Sequence, residues 1–215
     1  MTLPILYSLR NCPYAMRARL AIYKSAETIE LRDVVLKNKP AEMLTASPKG
    51  TVPILVLPSL QVIDESLDVM LWALKEGDPD KLLSQHSLTE MLAFIQRFDD
   101  EFKTCLEQYK CAKRYHESNL EDCRKACELY IQELEKRLGE NSFLFSPQES
   151  LADIAILPFI RQFARVERQW YLQSPYPNLK HWLNQYLQSA MFSKVMAKHP
   201  LWSNDSDVIT FTGKR

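Results

Sequence analysis

The 215-residue chain has no excess of either charge: 27 lysines and arginines stand against 27 aspartates and glutamates. Nothing in that balance points to nucleic acid or to an anionic lipid surface as a partner. No apolar run approaches the roughly 18 residues needed to span a bilayer. The opening MTLPILYSLR lacks a basic n-region and a small-residue cleavage site, which argues against a signal peptide. The expectation is a soluble cytoplasmic protein with no membrane partner. Disulfide stapling is not expected either, because the five cysteines (Cys12, Cys105, Cys111, Cys123 and Cys127) are odd in number and lack a framework spacing. Zinc spacings are also absent. Cys123 and Cys127 share a face of a predicted helix, but packed or incidental thiols explain them, and no metal is expected. The histidines at 86, 116, 181 and 199 are scattered, none beside a plausible nucleophile, so solvent-facing or capping roles suffice. No internal repeat or low-complexity segment stands out.

What is present falls into two halves. Ile5-Leu6-Tyr7 reads as a strand, and the run after it to Ala26 is free of glycine and rich in helix formers. Residues 28–36 are rich in β-branched side chains and read as a second strand. Lys37-Asn38-Lys39-Pro40 interrupts it before a weak helix at Ala41 to Thr45. Residues 51–57, a Pro58-Ser59 turn and residues 60–63 read as an antiparallel hairpin, followed by a helix from about Ser66 to Lys75. This βαβ then ββα order describes a small α/β domain over residues 1–78, closed by a Gly77-Asp78-Pro79-Asp80 linker.

From Leu88 to Leu138 apolar residues recur at three- and four-residue spacing with no proline, so the second domain, 86–215, is expected to be all-helical. Ser150-Leu151-Ala152-Asp153 reads as a capping box opening an apolar helix in which Pro158 is expected to cause a kink. Helices are expected at Asn178 to Gln188 and Phe192 to Lys198, and the polar tail from Ser203 is expected to be loosely ordered.

Three short segments carry candidate chemistry. In Arg10-Asn11-Cys12-Pro13-Tyr14-Ala15-Met16-Arg17, a strand ends just before Cys-Pro and a helix follows. Cys12 therefore sits near the N-cap and Pro13 at the first helical position, where a missing N–H costs nothing. The amides and macrodipole of that helix favour a thiolate and so a nucleophile. The alternative is a packing cysteine that happens to precede a proline. Ala15 occupies the place of the second cysteine of a C-x-x-C pair, so an oxidised Cys12 has to be resolved by a thiol from elsewhere, a small external one being the natural candidate. Val52-Pro53 heads an apparent strand that Pro53 cannot join as a donor. It reads as an edge, a bulge or a cis peptide, the last leaving the Val52 backbone open to a peptide-like ligand. Asp64-Glu65-Ser66 marks a strand running into a helix, with Ser66 a plausible cap, free amides behind it for a carboxylate, and Glu65 for an ammonium; such a segment is more often simply a capped helix.

In this order, Cys12-Pro13-Tyr14-Ala15, Val52-Pro53, Glu65-Ser66, a linker and a helical half containing Ser150-x-x-Asp153 resemble the cytosolic glutathione transferase family over nearly the whole chain. With Leu36-Lys37-Asn38-Lys39-Pro40, the Cys-Pro-aromatic-Ala motif is most similar to the omega class. The resemblance implies a thioredoxin-like N-terminal domain, an all-helical C-terminal domain and a homodimer. It implies that glutathione is a co-substrate and that Cys12 forms a mixed disulfide with it. Lys39 would meet the glycyl carboxylate, Val52 and Pro53 the cysteinyl backbone, and Glu65 and Ser66 the γ-glutamyl group. The implied activity is that of a thiol transferase or dehydroascorbate reductase acting on a small electrophilic or disulfide substrate. Ser150 and Asp153 match a helix-capping element of the family. Cys-Pro-Tyr is also similar to a two-domain glutaredoxin, against which Ala15 argues. A fold relative kept only as a binding or regulatory module is the alternative, and the intact Cys12, Val52-Pro53 and Glu65-Ser66 set weighs against it. The second-substrate pocket belongs to the divergent helical half, where Tyr109, Tyr115, Trp170 or Trp202 would line it or serve as core aromatics.

Overall fold

The computed structural model describes residues 2–205 and 207–213. Its contacts divide the chain into two compact units, Met1–Asp80 with Gln188–Arg215, and Lys81–Leu187.

The first unit is built on a mixed sheet. Strands β1 (Ile5–Ser8) and β2 (Thr28–Asp33) run parallel, joined by helix α1 (Pro13–Ser25). After helix α2 (Ala41–Ala46), strands β3 (Ile54–Val56) and β4 (Val62–Ile63) form an antiparallel hairpin, and helix α3 (Ser66–Glu76) follows. This is the expected βαβ, ββα order. β2 alternates half-buried and buried residues along its length, the period-two pattern of a strand with one face on a core. α1 starts with Pro13 and stops at Ala26, a left-handed residue at φ 60°. It packs on α3, whose Val69, Met70, Ala73 and Leu74 are buried on one face.

Two expectations change here. The tail from Ser203 is not loose throughout: strand β5 (Thr210–Thr212) pairs antiparallel with β2 to complete the sheet order β4-β3-β1-β2-β5, while helix α10 (Ala190–Val195), two residues ahead of the helix expected at Phe192 to Lys198, packs on α1. Residues 188–215 therefore group with the first unit rather than extending a helical domain 86–215. The open edge of β2 explains this, because an unpaired strand edge recruits a partner and Thr210-Phe211-Thr212 offers an alternating one with Phe211 buried. Ser66 is also not the cap of α3. Glu65 takes the cap position with extended backbone, φ −105° and ψ 133°, and Ser66 begins the helix, one residue earlier than a serine cap requires.

The second unit is helical: α4 (Leu88–Arg97), a π-helical turn at Phe98–Phe102, α5 (Lys103–Tyr115), α6 (Leu120–Glu140), α7 (Leu151–Val166), α8 (Arg168–Gln173) and α9 (Pro177–Leu187). Phe94, Phe98, Phe102, Tyr130 and Phe163 stack in a chain of ring contacts along α4 to α7. α7 is buried along most of its length and runs on through Pro158 to Val166. Its start is the expected capping box, with Asp153 Oδ2 accepting from the Ser150 N–H at 3.0 Å and hydroxyl at 2.7 Å. Among the described residues no helix is long and apolar enough to cross a membrane.

Candidate active site

The candidate site lies within the first unit. β1 delivers the chain to a short turn, and Cys12 then occupies the N-cap of α1 with φ −71° and ψ 125°. The turn is held from both sides: the Cys12 N–H donates to the Leu9 carbonyl at 3.0 Å, and the Cys12 carbonyl accepts from the Met16 N–H at 2.9 Å. The last of these is the first bond of the helix, and Pro13 at its first position sacrifices no donor. Cys12 is half-buried and packs against an apolar cluster of Tyr7, Ala15, Val34, Met43, Val52 and Ile54.

The Cys12 thiol donates to the Val52 carbonyl, with Sγ 3.8 Å from the oxygen. Val52-Pro53 is a cis peptide, one of the three forms the sequence left open. Val52 precedes β3 by two residues, so its backbone is outside the β1–β3 ladder. Forty residues apart in sequence, the thiol and this backbone group now share one spot.

A polar network joins the remaining candidates, and its centre, Lys49, was not singled out from sequence. Lys49 Nζ donates to Glu65 Oε1 at 2.7 Å and to Asp64 Oδ1 at 3.2 Å, while Ser47 Oγ donates to Asp64 Oδ2 at 2.6 Å. The hydrogen bonds to Glu65 and then Asp64 raise the Lys49 amine above its ordinary range, and the Ser47 hydroxyl holds the Asp64 carboxyl below its own. Glu65 thus has its carboxylate oriented by Lys49 at the head of α3, where Ser66 begins the helix and is 6% exposed. The available signal was Ser47-Pro48-Lys49-Gly50, a turn carrying a charge directly before Thr51-Val52-Pro53.

Lys39, exposed on the loop before α2, reaches the same turn. Its Nζ lies 2.9 Å from where a Cβ on Gly50 would stand, and Gly50 has φ +57°, so this turn needs glycine for both its backbone and the amine that covers it. Cys12, Val52, Pro53, Glu65, Ser66 and Lys39 are therefore linked through one loop, 47–53. The aromatic candidates separate. Tyr109 is fully buried in the second unit and donates to Glu167 Oε2 at 2.8 Å. Trp170 stacks under the Arg124 guanidinium at 4.6 Å, and Tyr115 is exposed. Trp202 belongs to the first unit, with its backbone N–H donating to the Asp33 backbone carbonyl at 2.8 Å and the Arg32 guanidinium 4.3 Å over its ring.

A thiol at a helix N-terminus suits thiol–disulfide exchange, and a backbone segment outside the β1–β3 ladder beside it suits a peptide strand. Acidic and basic side chains farther along suit the ends of a small zwitterion. Comparison with known proteins identifies the family. The family models for the glutathione S-transferase N-terminal and C-terminal domains match residues 6–81 and 93–185. Glutathione S-transferase omega-1 of Mus musculus is 26% identical over 198 residues, covering 89% of this chain and 80% of that protein. The omega-2 protein of Rattus norvegicus is 32% identical over 116 residues, half of this chain and 46% of that one. Pyrimidodiazepine synthase of Drosophila melanogaster is 28% identical over 201 residues, 83% of this chain and 74% of its own. In fold, a glutathione transferase of Phanerochaete chrysosporium in complex with oxidised glutathione superposes with a TM-score of 0.76 at 19% identity, covering 90% of this chain and 94% of that one. A Pseudomonas fluorescens family member with two bound glutathiones gives 0.76 at 19% identity, over 90% and 92% of the two chains. With both halves matched by family models and omega-class relatives spanning most of its length, the chain belongs to the glutathione S-transferase family.

Proposed function

We propose that the protein is a glutathione-dependent thiol transferase or reductase of the omega-like type, working through a mixed disulfide on Cys12. The observation that carries this reading is the Cys12 thiol at the N-cap of α1 facing the Val52 carbonyl at 3.8 Å. The helix terminus supports a sulfur nucleophile, and the Val52 backbone supports a peptide strand laid beside it.

In the first step the Cys12 thiolate attacks the glutathione sulfur of a substrate R–S–S–G. The old S–S bond breaks, Cys12–S–S–G forms, and R–S⁻ leaves and takes a proton. Ala15 offers no internal thiol, so the thiolate of a second glutathione attacks the bound glutathionyl sulfur, Cys12 leaves as thiolate, and oxidised glutathione departs. The sum is R–S–S–G plus glutathione giving R–SH plus oxidised glutathione. In both steps the Val52 backbone pairs with the cysteinyl unit next to Pro53, Lys39 receives the glycyl carboxylate, and Ser66 with the first turn of α3 receives the γ-glutamyl carboxylate. Glu65, held on one side by Lys49, takes the γ-glutamyl ammonium. Small glutathionyl disulfides are the proposed substrates, with dehydroascorbate a second one, reduced to ascorbate by the two electrons and two protons of two glutathiones that leave as oxidised glutathione; a cytoplasmic homodimer is the proposed form.

The test is turnover of a glutathionylated model substrate by wild type and Cys12→Ala, with intact mass after exposure to oxidised glutathione. One glutathionyl adduct on wild type, its loss in the folded variant and loss of turnover support the mechanism. Undiminished turnover without Cys12 sinks it, and no adduct with glutathione still bound favours a binding module.

A further inference from the structure

We propose that Arg19 is a positioning residue for Cys12, holding the β1–α1 turn so that the thiol stays at the helix N-cap beside the Val52 carbonyl. Arg19 follows Cys12 by seven residues, two turns along the same face of α1, and is 3% exposed. An arginine this deeply buried needs partners for a planar fork of donors, and the structure supplies them from the segment that leads into Cys12. Nη1 donates to the Ser8 hydroxyl in a short contact and to the Leu9 carbonyl at 3.4 Å, and Nη2 donates to the Arg10 carbonyl at 2.6 Å. Nε donates to the Val195 carbonyl of α10 at 3.0 Å.

The Leu9 carbonyl is the link. It accepts from Arg19 Nη1 and also from the Cys12 N–H at 3.0 Å, so one oxygen joins the guanidinium to the backbone of the nucleophile. Ser8, Leu9 and Arg10 are three consecutive residues gripped by a single side chain, and the next but one is Cys12. Burial pulls the Arg19 pKa down to about 10, with charge on Asp33 and on Cys12 opposing the fall, so the group remains a cation at neutral pH. A lysine would keep the charge but bring its donors to one point, and cannot reach four acceptors spread around the plane of a guanidinium. The fork geometry, beyond the charge, is what the turn uses.

The experiment compares wild type, Arg19→Lys and Ser8→Ala, with Ser8→Ala removing one acceptor while leaving the arginine in place. Thermal unfolding establishes the folded fraction. The rate of Cys12 alkylation by iodoacetamide is then measured per folded molecule by peptide mass, with exposed Cys111 on α5 as internal standard. Arg19→Lys is expected to slow Cys12 alkylation about tenfold relative to Cys111, and Ser8→Ala to slow it by a smaller factor, since a thiol shifted away from the free amides at the head of α1 loses the field that favours its reactive thiolate. Turnover should fall in kcat by a similar factor, with KM for glutathione within about twofold, because Lys39, Val52 and Glu65 are not held by this fork. A role in stability alone lowers the unfolding temperature and leaves the Cys12-to-Cys111 ratio at the wild-type value in both variants, and that result overturns the proposal. The turnover readout rests on the thiol-transferase reading. Alkylation does not, so loss of that reading through Cys12→Ala and loss of this one are separate outcomes.

Discussion

Replacing Asp153 by alanine removes the acceptor on which four donors converge at the start of α7. The N–H groups of Leu144 and Ser150 reach its carboxylate at 3.0 Å each, Trp182 Nε1 at 3.1 Å and the Ser150 hydroxyl at 2.7 Å. Asp153 is fully buried, so water cannot take its place. The hydroxyl can turn to another acceptor, but three N–H donors are fixed by backbone and ring. At about 1–3 kcal/mol for each buried donor left unmade, the gross loss is about 3–9 kcal/mol. Relief from burying a carboxylate offsets part of this, and a net cost of about 3–5 kcal/mol at pH 7 is expected. That is a large share of the about 5–15 kcal/mol that holds a typical domain together. The cost also depends on pH. Burial raises the Asp153 carboxyl from 3.8 to about 6 despite the four donors. Between those values the folded state holds the proton more tightly than the unfolded one, so wild-type stability from this group is greatest below pH 4 and declines as pH rises to about 6. The penalty of Asp153→Ala should therefore be larger at pH 4 than at pH 7, by up to about 3 kcal/mol at 1.36 kcal/mol per unit. Urea denaturation of both proteins, followed by tryptophan fluorescence and circular dichroism at the two pH values, measures this. A cost under about 1 kcal/mol at pH 7, or a smaller penalty at pH 4, refutes the accounting.

Gly50→Ala places a left-handed alanine at φ +57° with its Cβ against Lys39, Nζ at 2.9 Å and Cδ at 3.1 Å. The backbone term is about 1–2 kcal/mol of stability. Lys39 must swing aside, so KM for glutathione should rise several-fold with kcat at saturation unchanged; an unaltered KM in a folded protein counts against Lys39 as a ligand. Trp202→Ala strips the ring from under Arg32 at 4.3 Å and from its edge contact with Tyr7 at 6.0 Å. It should cost about 2–3 kcal/mol in urea unfolding, and a loss under about 0.5 kcal/mol would mean that the tail segment does not brace β2.

The order of elements in the first unit was readable because each step has a local cause. Pro13 marks a helix start, β-branched runs mark strands, and Pro58-Ser59 marks the hairpin turn. Cys12 and Val52-Pro53 could be singled out as candidates, since a thiol before a proline at a helix start and a proline at a strand head each stand out in a short window; Glu65-Ser66 drew notice only as a common helix-start pattern, and its cap is Glu65 rather than Ser66. Lys49 and Arg19 were not. A lysine in a polar turn and an arginine in a helix look like solvated side chains until their partners are known, and those partners are 15 and 16 residues from Lys49 and as far as 176 residues from Arg19.

The sequence by itself determined the helix and strand periods, the capping box at Ser150 and Asp153, and the choice of a single thiol without an internal resolving partner at Ala15. These depend on residues within a few positions of one another, where chain geometry alone sets which side chains share a face. Only the tertiary structure decided that Val52 meets Cys12, that Lys49 holds Glu65, and that residues 188–213 return to the first unit through α10, Trp202 and β5. Such pairings are made by the free edge of a sheet and the unmet donors of a buried guanidinium, and neither exists until the chain has folded.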